Sequence, residues 1–238
     1  MTLSYKSKRL AQFQFIRAFA IQIIKPKRQI KKFCNIFVFT GLMLLSSDAF
    51  AKTTKVLLYG DSISAGYGMT TPESWPYLLN ETFKSEQQPI RLINESISGE
   101  TTGGGLARLP QVLKRHALAA NDWLLIELGG NDGLRGFPIN GVKSNLTQMI
   151  ELAKSQGIKV AIMQIRIPPN YGKRYTNLFE SQYPKLADKF NIPLLPFFME
   201  KIALNPNYML NDGIHPNVSA QIIIRDMLKT EIEQLIND

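Results

Sequence analysis

From residue 55 onward, apolar runs of strand length alternate with longer segments in which apolar residues recur every three or four positions. Residues 55–59, 90–95, 123–128 and 159–164 are of the first kind, and 193–196 hold a fifth, shorter run between Pro193 and Pro196. Continuous hydrophobicity is the mark of strands covered on both faces, whereas strands with one wet face alternate. The segments 75–84, 106–116, 142–155 and 175–190 have helical period, and a last helix is expected to follow Pro216 and run through 222–236. Strand and helix in strict alternation predict an α/β domain, a parallel sheet with helices on both faces.

In such sheets ligands bind beyond the carboxyl ends of the strands. The chain's unusual polar and glycine clusters fall there: Gly60-Asp61-Ser62 after the first strand, Ser96-Ile97-Ser98-Gly99 after the second, Gly129-Gly130-Asn131-Asp132 after the third. Asp212-Gly213-Ile214-His215 lies just before the last helix. No internal repeat, low-complexity tract or linker marks a second domain, and 238 residues suit one.

Charge changes this picture only at the N-terminus. Residues 1–51 hold nine Lys/Arg and one acid; taking these from the chain's 28 basic and 19 acidic residues leaves 19 and 18. The net charge of +9 thus belongs to a leader, and nucleic acid loses its support as a partner. Lys25, Lys27, Arg28, Lys31 and Lys32, the apolar run 33–45 and Ala49-Phe50-Ala51 read as an export signal cleaved after Ala51. The run falls short of the roughly 20 residues of a spanning helix, so the expectation is a periplasmic or secreted protein of residues 52–238 with no stable membrane span after cleavage. An uncleaved anchor is the competing reading, and residues 1–24 could be an upstream extension of the reading frame. The only cysteine, Cys34, lies in the leader, so the mature domain has no thiol for disulfides, nucleophilic catalysis or metal binding.

Two histidines are then available as a general base. His116 closes an amphipathic segment after Lys114-Arg115 and reads as a solvated or dipole-satisfying residue at a helix end. His215 follows Asp212 by three residues, a spacing at which a carboxylate can fix the imidazole tautomer, although Asp-x-x-His is also a common turn and cap. Ser62, between a buried strand and a helix start, is the candidate nucleophile; the plainer alternative is that Asp61 and Ser62 only cap that helix. The Gly-x-Ser-x-Gly elbow of the α/β-hydrolases is absent. The stretch Gly99-Glu100-Thr101-Thr102-Gly103-Gly104-Gly105 resembles a phosphate loop, but Gly105 stands where the lysine belongs. Gly99 is better used as an unobstructed N–H for an oxyanion, together with the Asn131 amide and the Ser62 N–H; close packing and a plain turn are the structural alternatives. Asp61, Asp132, Asp212 and His215 could also be read as metal ligands, but the two histidines lie on distant segments and no metal is expected.

Gly60-Asp61-Ser62-Ile63-Ser64, Ser98-Gly99, Gly129-Gly130-Asn131-Asp132 and Asp212-Gly213-Ile214-His215-Pro216 together resemble the four blocks of the SGNH, or GDSL, hydrolases, with Ile63 in place of the usual leucine. Residues 130–136, 163–166, 169–172 and 194–200 resemble the bacterial thioesterase, lysophospholipase and arylesterase members of that family. The resemblance implies a three-layer α/β/α flavodoxin-like fold with a five-stranded parallel sheet. Ser62 would be nucleophile, His215 base, Asp212 its orienting acid, and Ser62 N–H, Gly99 N–H and Asn131 the oxyanion hole. No cofactor would be needed, the protein would act as a monomer, and the substrates would be acyl-CoA, lysophospholipids and aryl esters.

An acyl chain needs an apolar groove beside that hole, and Leu134, Phe137, Ile139, Ile167, Pro168, Pro169 and Tyr171 lie on the loops at the ligand edge. Leu134, Phe137, Ile167, Pro168 and Tyr171 are the candidate substrate contacts, with loop packing as the alternative. Two other functions are compatible with such a chain, a carbohydrate O-deacetylase on the same scaffold and a non-catalytic periplasmic lipid carrier.

Overall fold

The computed structural model describes residues 52–237, so the expected export signal lies outside the described residues. Five strands form the sheet: β1 (Thr54–Gly60), β2 (Ile90–Asn94), β3 (Trp123–Glu127), β4 (Lys159–Met163) and β5 (Leu194–Leu195). All pair in parallel, in the order β2-β1-β3-β4-β5. This is the flavodoxin-like order, and the fold is the three-layer α/β one that the pattern and the resemblance led us to expect.

The period-2 geometry of the strands sorts their side chains into two cores. Leu57 and Tyr59 of β1, Leu124 and Ile126 of β3, and Val160 and Ile162 of β4 pack beneath α3 (Thr102–His116), α5 (Ile139–Ser155), α6 (Lys173–Glu180) and α7 (Gln182–Phe190). Val56, Leu58, Trp123, Leu125, Ala161 and Met163 point the other way, beneath α2 (Trp75–Ser85), α8 (Met199–Ile202) and α9 (Val218–Asn237). Two one-turn helices, α1 (Ser62–Ala65) and α4 (Gly130–Leu134), sit directly on the ends of β1 and β3.

Several boundaries differ from the sequence pattern, among them the start of α5, which begins at Ile139 and not at 142. The helix expected from 106 begins at Thr102, because the Thr101 hydroxyl caps it by accepting from Gly104 N–H at 3.2 Å. The glycines there answer to packing as well: a Cβ on Gly105 would lie 2.6 Å from Leu128 Cδ1. The segment 175–190 is two helices broken at Ser181, α6 itself beginning at Lys173. Pro216 is not in the last helix; it bridges Met209 in an isolated antiparallel pair, and Asn217 receives Ala220 N–H at the helix start. His116 ends α3 half-buried, its Nε2 2.6 Å from Glu95 Oε1, so it is paired by a distant acid as well as placed at a dipole end.

Candidate active site

In a 2-1-3-4-5 sheet the loops leaving β1 and β3 diverge, and the crevice between them is the natural binding place. Gly60 pairs with Glu127 at the ends of these strands. Asp61 then caps α1, its Oδ1 accepting from Ile63 N–H at 3.2 Å, and Ser62 is the first helical residue. Gly66 closes the turn at φ 77°, a left-handed conformation costly for other residues, and its N–H donates to the Ser62 carbonyl. Ser62 is thereby held at the sheet edge, 9% exposed.

His215 reaches this point from the loop before α9. Leu210 N–H donates to His215 O at 2.8 Å and Gly213, at φ 66°, closes the turn on Leu210 O. Asp212 Oδ1 accepts the N–H groups of Ile214 (2.9 Å) and His215 (3.0 Å), which leaves Oδ2 for the ring Nδ1 at 2.7 Å. On the far side of the ring, Nε2 lies 2.8 Å from Ser62 Oγ. A carboxylate receiving Nδ1–H selects the tautomer whose Nε2 is a bare acceptor, so the serine hydroxyl is the donor in the last bond. The His215 N–H, then the Ile214 N–H and the ring, hold the Asp212 carboxyl down to about 2 despite some desolvation; it is ionised across any ordinary working range.

Asn131 lies in α4, where its Nδ2 donates to Asp61 Oδ2 at 3.3 Å. One amide hydrogen is thus engaged by the residue preceding the serine, and the other has no partner among the described residues. Asp61 is buried, and burial pushes its carboxyl up to about 6 against the Ile63 and Asn131 bonds and the attraction of His215. Beneath it lies Glu127, also buried, accepting from Ser64 Oγ at 2.6 Å and from Asp61 N–H. Burial, and after it the Asp61 charge, hold Glu127 well above the usual carboxylate range. A Cβ on Gly60 would collide with the Glu127 carboxylate, so this acid also fixes a glycine at the end of β1.

Gly99 stands exposed at φ 79° in the loop after β2. That loop is tied to the end of β1: Ser96 Oγ accepts Gly60 N–H at 3.1 Å and Ile97 N–H donates to Gly60 O at 3.1 Å. Arg135 Nη2 approaches Gly99 O at 3.4 Å, and Asp132 accepts both the N–H (2.8 Å) and the hydroxyl (2.6 Å) of Thr102. The loops after β1, β2 and β3 are therefore one hydrogen-bonded assembly. Asp132 is consumed in it, and among the described residues no group of three or more His, Cys, Asp or Glu side chains is arranged to hold a metal ion.

Of the expected groove, Phe137 (40% exposed) and Tyr171 (38%) face solvent, Pro168 is exposed and Leu134 half-buried. Two hydroxyls bind the loops together, Tyr171 to Leu134 O and Tyr175 to Phe137 O, both at 2.9 Å. Ile167 differs from the expectation. It is buried in the core against Gly133, where a Cβ would lie 2.5 Å from Ile167 Cγ2, so it supports the loop from below. Sequence reasoning gave no role to Glu127, Ser64 or Tyr67, whose ring stacks on His215. Only Glu127 had left a signal, a lone acid inside an apolar strand.

A parallel sheet carrying a serine, a histidine and a carboxylate in one hydrogen-bonded line at its switch point defines a serine hydrolase of the SGNH type. Comparison with known proteins narrows this. Residues 58–221 match the model of the GDSL-like lipase/acylhydrolase family. An arylesterase of Vibrio mimicus is 49% identical over 191 residues, 80% of this chain and 94% of the relative. The thioesterase 1/protease 1/lysophospholipase L1 of Escherichia coli K12 is 46% identical over 209 residues, 86% of this chain and 97% of the relative. The crystal structure of the psychrotrophic esterase EstA from Pseudoalteromonas sp., inhibited by monoethylphosphonate, superposes with a TM-score of 0.75 at 42% identity, over 78% of this chain and all of that one. The chain belongs to the GDSL-like lipase/acylhydrolase family.

Proposed function

We propose that this protein hydrolyses acyl esters and thioesters through an acyl-enzyme, with Ser62 as nucleophile and His215 as base. The observation that carries the reading is the imidazole held between Asp212 Oδ2 at 2.7 Å and Ser62 Oγ at 2.8 Å. As Ser62 Oγ bonds to the acyl carbon, its proton passes to His215 Nε2 and the carbonyl electrons move to oxygen. Asp212 stabilises the imidazolium so formed. The oxyanion is received by Ser62 N–H, Gly99 N–H and the second Asn131 amide hydrogen, each donor worth ~2.7–4 kcal/mol in the transition state. Collapse expels the alcohol or thiol, which takes the proton from Nε2. A water then gives a proton to Nε2 as it attacks the acyl carbon, and collapse of this second intermediate releases the acid and breaks its bond to Ser62 Oγ, which takes the proton back from Nε2.

The relatives' names support aryl esters, acyl thioesters and lysophospholipids as substrates, and the exposed Phe137 and Tyr171, with Pro168 and Leu134, offer an apolar face to an acyl chain. The leader's charge and apolar run support action in the periplasm or outside the cell; no helix of the described residues is long and apolar enough to cross a membrane. Ser62→Ala tests the reading. It should lower kcat at least ~10³-fold on p-nitrophenyl, acyl-CoA and lysophospholipid substrates of graded chain length. Near-normal turnover by a folded Ser62→Ala protein would overturn it, and a preference for acetylated sugars over medium-chain esters would overturn the acyl-chain assignment.

A further inference from the structure

The mechanism leaves one contact of the imidazole unused. Tyr67 lies over the face of His215 with ring centroids 4.2 Å apart and planes inclined by 29°, a stacked pair. Asp212 and Ser62 hold the ring by its edges, so Tyr67 covers a surface that neither reaches.

The backbone explains how Tyr67 comes to be there. Its N–H donates to Ser62 O at 3.1 Å, so the nucleophile's own turn carries the aromatic ring. Glycines on both sides, Gly66 at φ 77° and Gly68 at φ 79°, bend the chain around it. Neither admits a side chain: a Cβ on Gly66 would lie 2.9 Å from Ser74 Cβ, and one on Gly68 2.9 Å from Leu210 Cδ1 in the histidine's loop. Tyr67 itself is 49% exposed, belongs to neither core and makes no hydrogen bond through its hydroxyl among the described residues. An exposed aromatic residue set between two left-handed glycines that admit no side chain is poorly explained by stability. It is well explained by the imidazole beneath it.

We infer that Tyr67 is a positioning residue of the hydrolytic reaction, its ring locking the orientation of His215 and stabilising the imidazolium formed in each transfer of the serine's proton. This rests on the reading of His215 as the base. The face of an aromatic ring is electron-rich and attracts a cation lying on it, an attraction that a neutral imidazole feels far less. The contact is therefore stronger in the transition state than in the resting enzyme, the condition for raising kcat and not only affinity. The charged groups around the imidazole are Asp212, bonded to Nδ1, and Asp61, which lies close enough to feel its charge. Both are carboxyls, and the aromatic face adds to their effect without consuming a hydrogen bond.

Tyr67→Phe keeps the ring, Tyr67→Leu keeps apolar cover without it, and Tyr67→Ala removes both. Because Tyr67 is outside the cores, all three should melt within a few degrees of wild type. Phe should retain wild-type kcat, whereas Leu and Ala should lose about 10-fold in kcat, on short and long esters alike. The acidic limb of their kcat/KM pH profiles should move to lower pH, since the free imidazolium is no longer favoured. The inference is overturned if Leu or Ala turns over like wild type, if the loss is in KM for long chains only, or if the limb stays put or moves upward. Ser62→Ala separates the two levels: if it is inactive while Tyr67→Ala is normal, the role of Tyr67 falls and the serine mechanism stands.

Discussion

Asp61→Asn isolates the coupling between the buried acid and the amide of Asn131, the proposed oxyanion donor. Asp61 offers two acceptors, one to Ile63 N–H at 3.2 Å and one to Asn131 Nδ2 at 3.3 Å. Asparagine offers one acceptor and one amino group, so with the Ile63 bond kept, two amino groups face each other and Asn131 must turn away. Outright loss of an oxyanion donor costs 10²–10³-fold in kcat, roughly 2.7–4 kcal/mol. Misdirecting it by breaking one long hydrogen bond should cost about 1–2 kcal/mol, ~5–30-fold. Steady-state kinetics on a p-nitrophenyl ester across a double-mutant cycle with Asn131→Ala checks the cause. In the Asn131→Ala background, Asp61→Asn should lower kcat less than ~2-fold. Equal losses in both backgrounds would refute the coupling. The same variant has a stability signature. The folded carboxyl sits at about 6 against an ordinary 3.8, so its ionised form opposes folding fully above pH 6 and progressively less as pH falls toward 4. That rise corresponds to roughly 3 kcal/mol, less ~1 for the lost bond to Asn131. Asp61→Asn should thus melt ~4–8 °C higher at pH 8, and the gain should disappear near pH 4.

Other perturbations test neighbouring parts of the account. Gly129→Ala places a Cβ against the Tyr183 hydroxyl, which bonds Leu128 O at 3.0 Å, and forces φ 122° on a non-glycine residue; a loss of about 3 kcal/mol, ~6–12 °C in melting temperature, is expected by calorimetry. Replacing both Tyr171 and Tyr175 by Phe unties the two loops and should raise KM for long-chain esters ~3–10-fold, with kcat on a short ester nearly unchanged. Prolonged chelator treatment should leave kcat unaltered in a stopped assay, and a loss restored by added metal would contradict a metal-free hydrolysis. Acid should release the His215 loop late: the Asp212 carboxyl lies at about 2, below its ordinary value, so its bonds persist as pH falls through 4 and are lost only near 2, which proton-exchange rates of Ile214 and His215 N–H would follow.

Much of this molecule is written locally in the chain. Continuous apolar runs identified β1, β3 and β4, and a serine, a glycine and an asparagine just after strands, with a histidine just before the last helix, were legible as candidates because a parallel sheet gathers its loops at one edge. Boundaries set by single side chains were not: the Thr101 cap pulls α3 back across three glycines, and Ser181 breaks a segment whose apolar period runs through it. Contacts between distant segments stayed hidden for the same reason. Nothing near Tyr67 in sequence announces an imidazole 148 positions on, and nothing in Asn131 announces that Asp61 holds its amide. Ile167 shows the converse, an apolar loop residue whose period gave no means of telling groove from core.

The most direct test of the central claim is covalent labelling of the folded protein with an alkyl fluorophosphonate, the adduct located by mass spectrometry. The account predicts one adduct per chain, on Ser62, absent in Ser62→Ala and formed at least ~10²-fold more slowly in His215→Ala. An adduct on another residue, or labelling of Ser62 at an undiminished rate without His215, would contradict it.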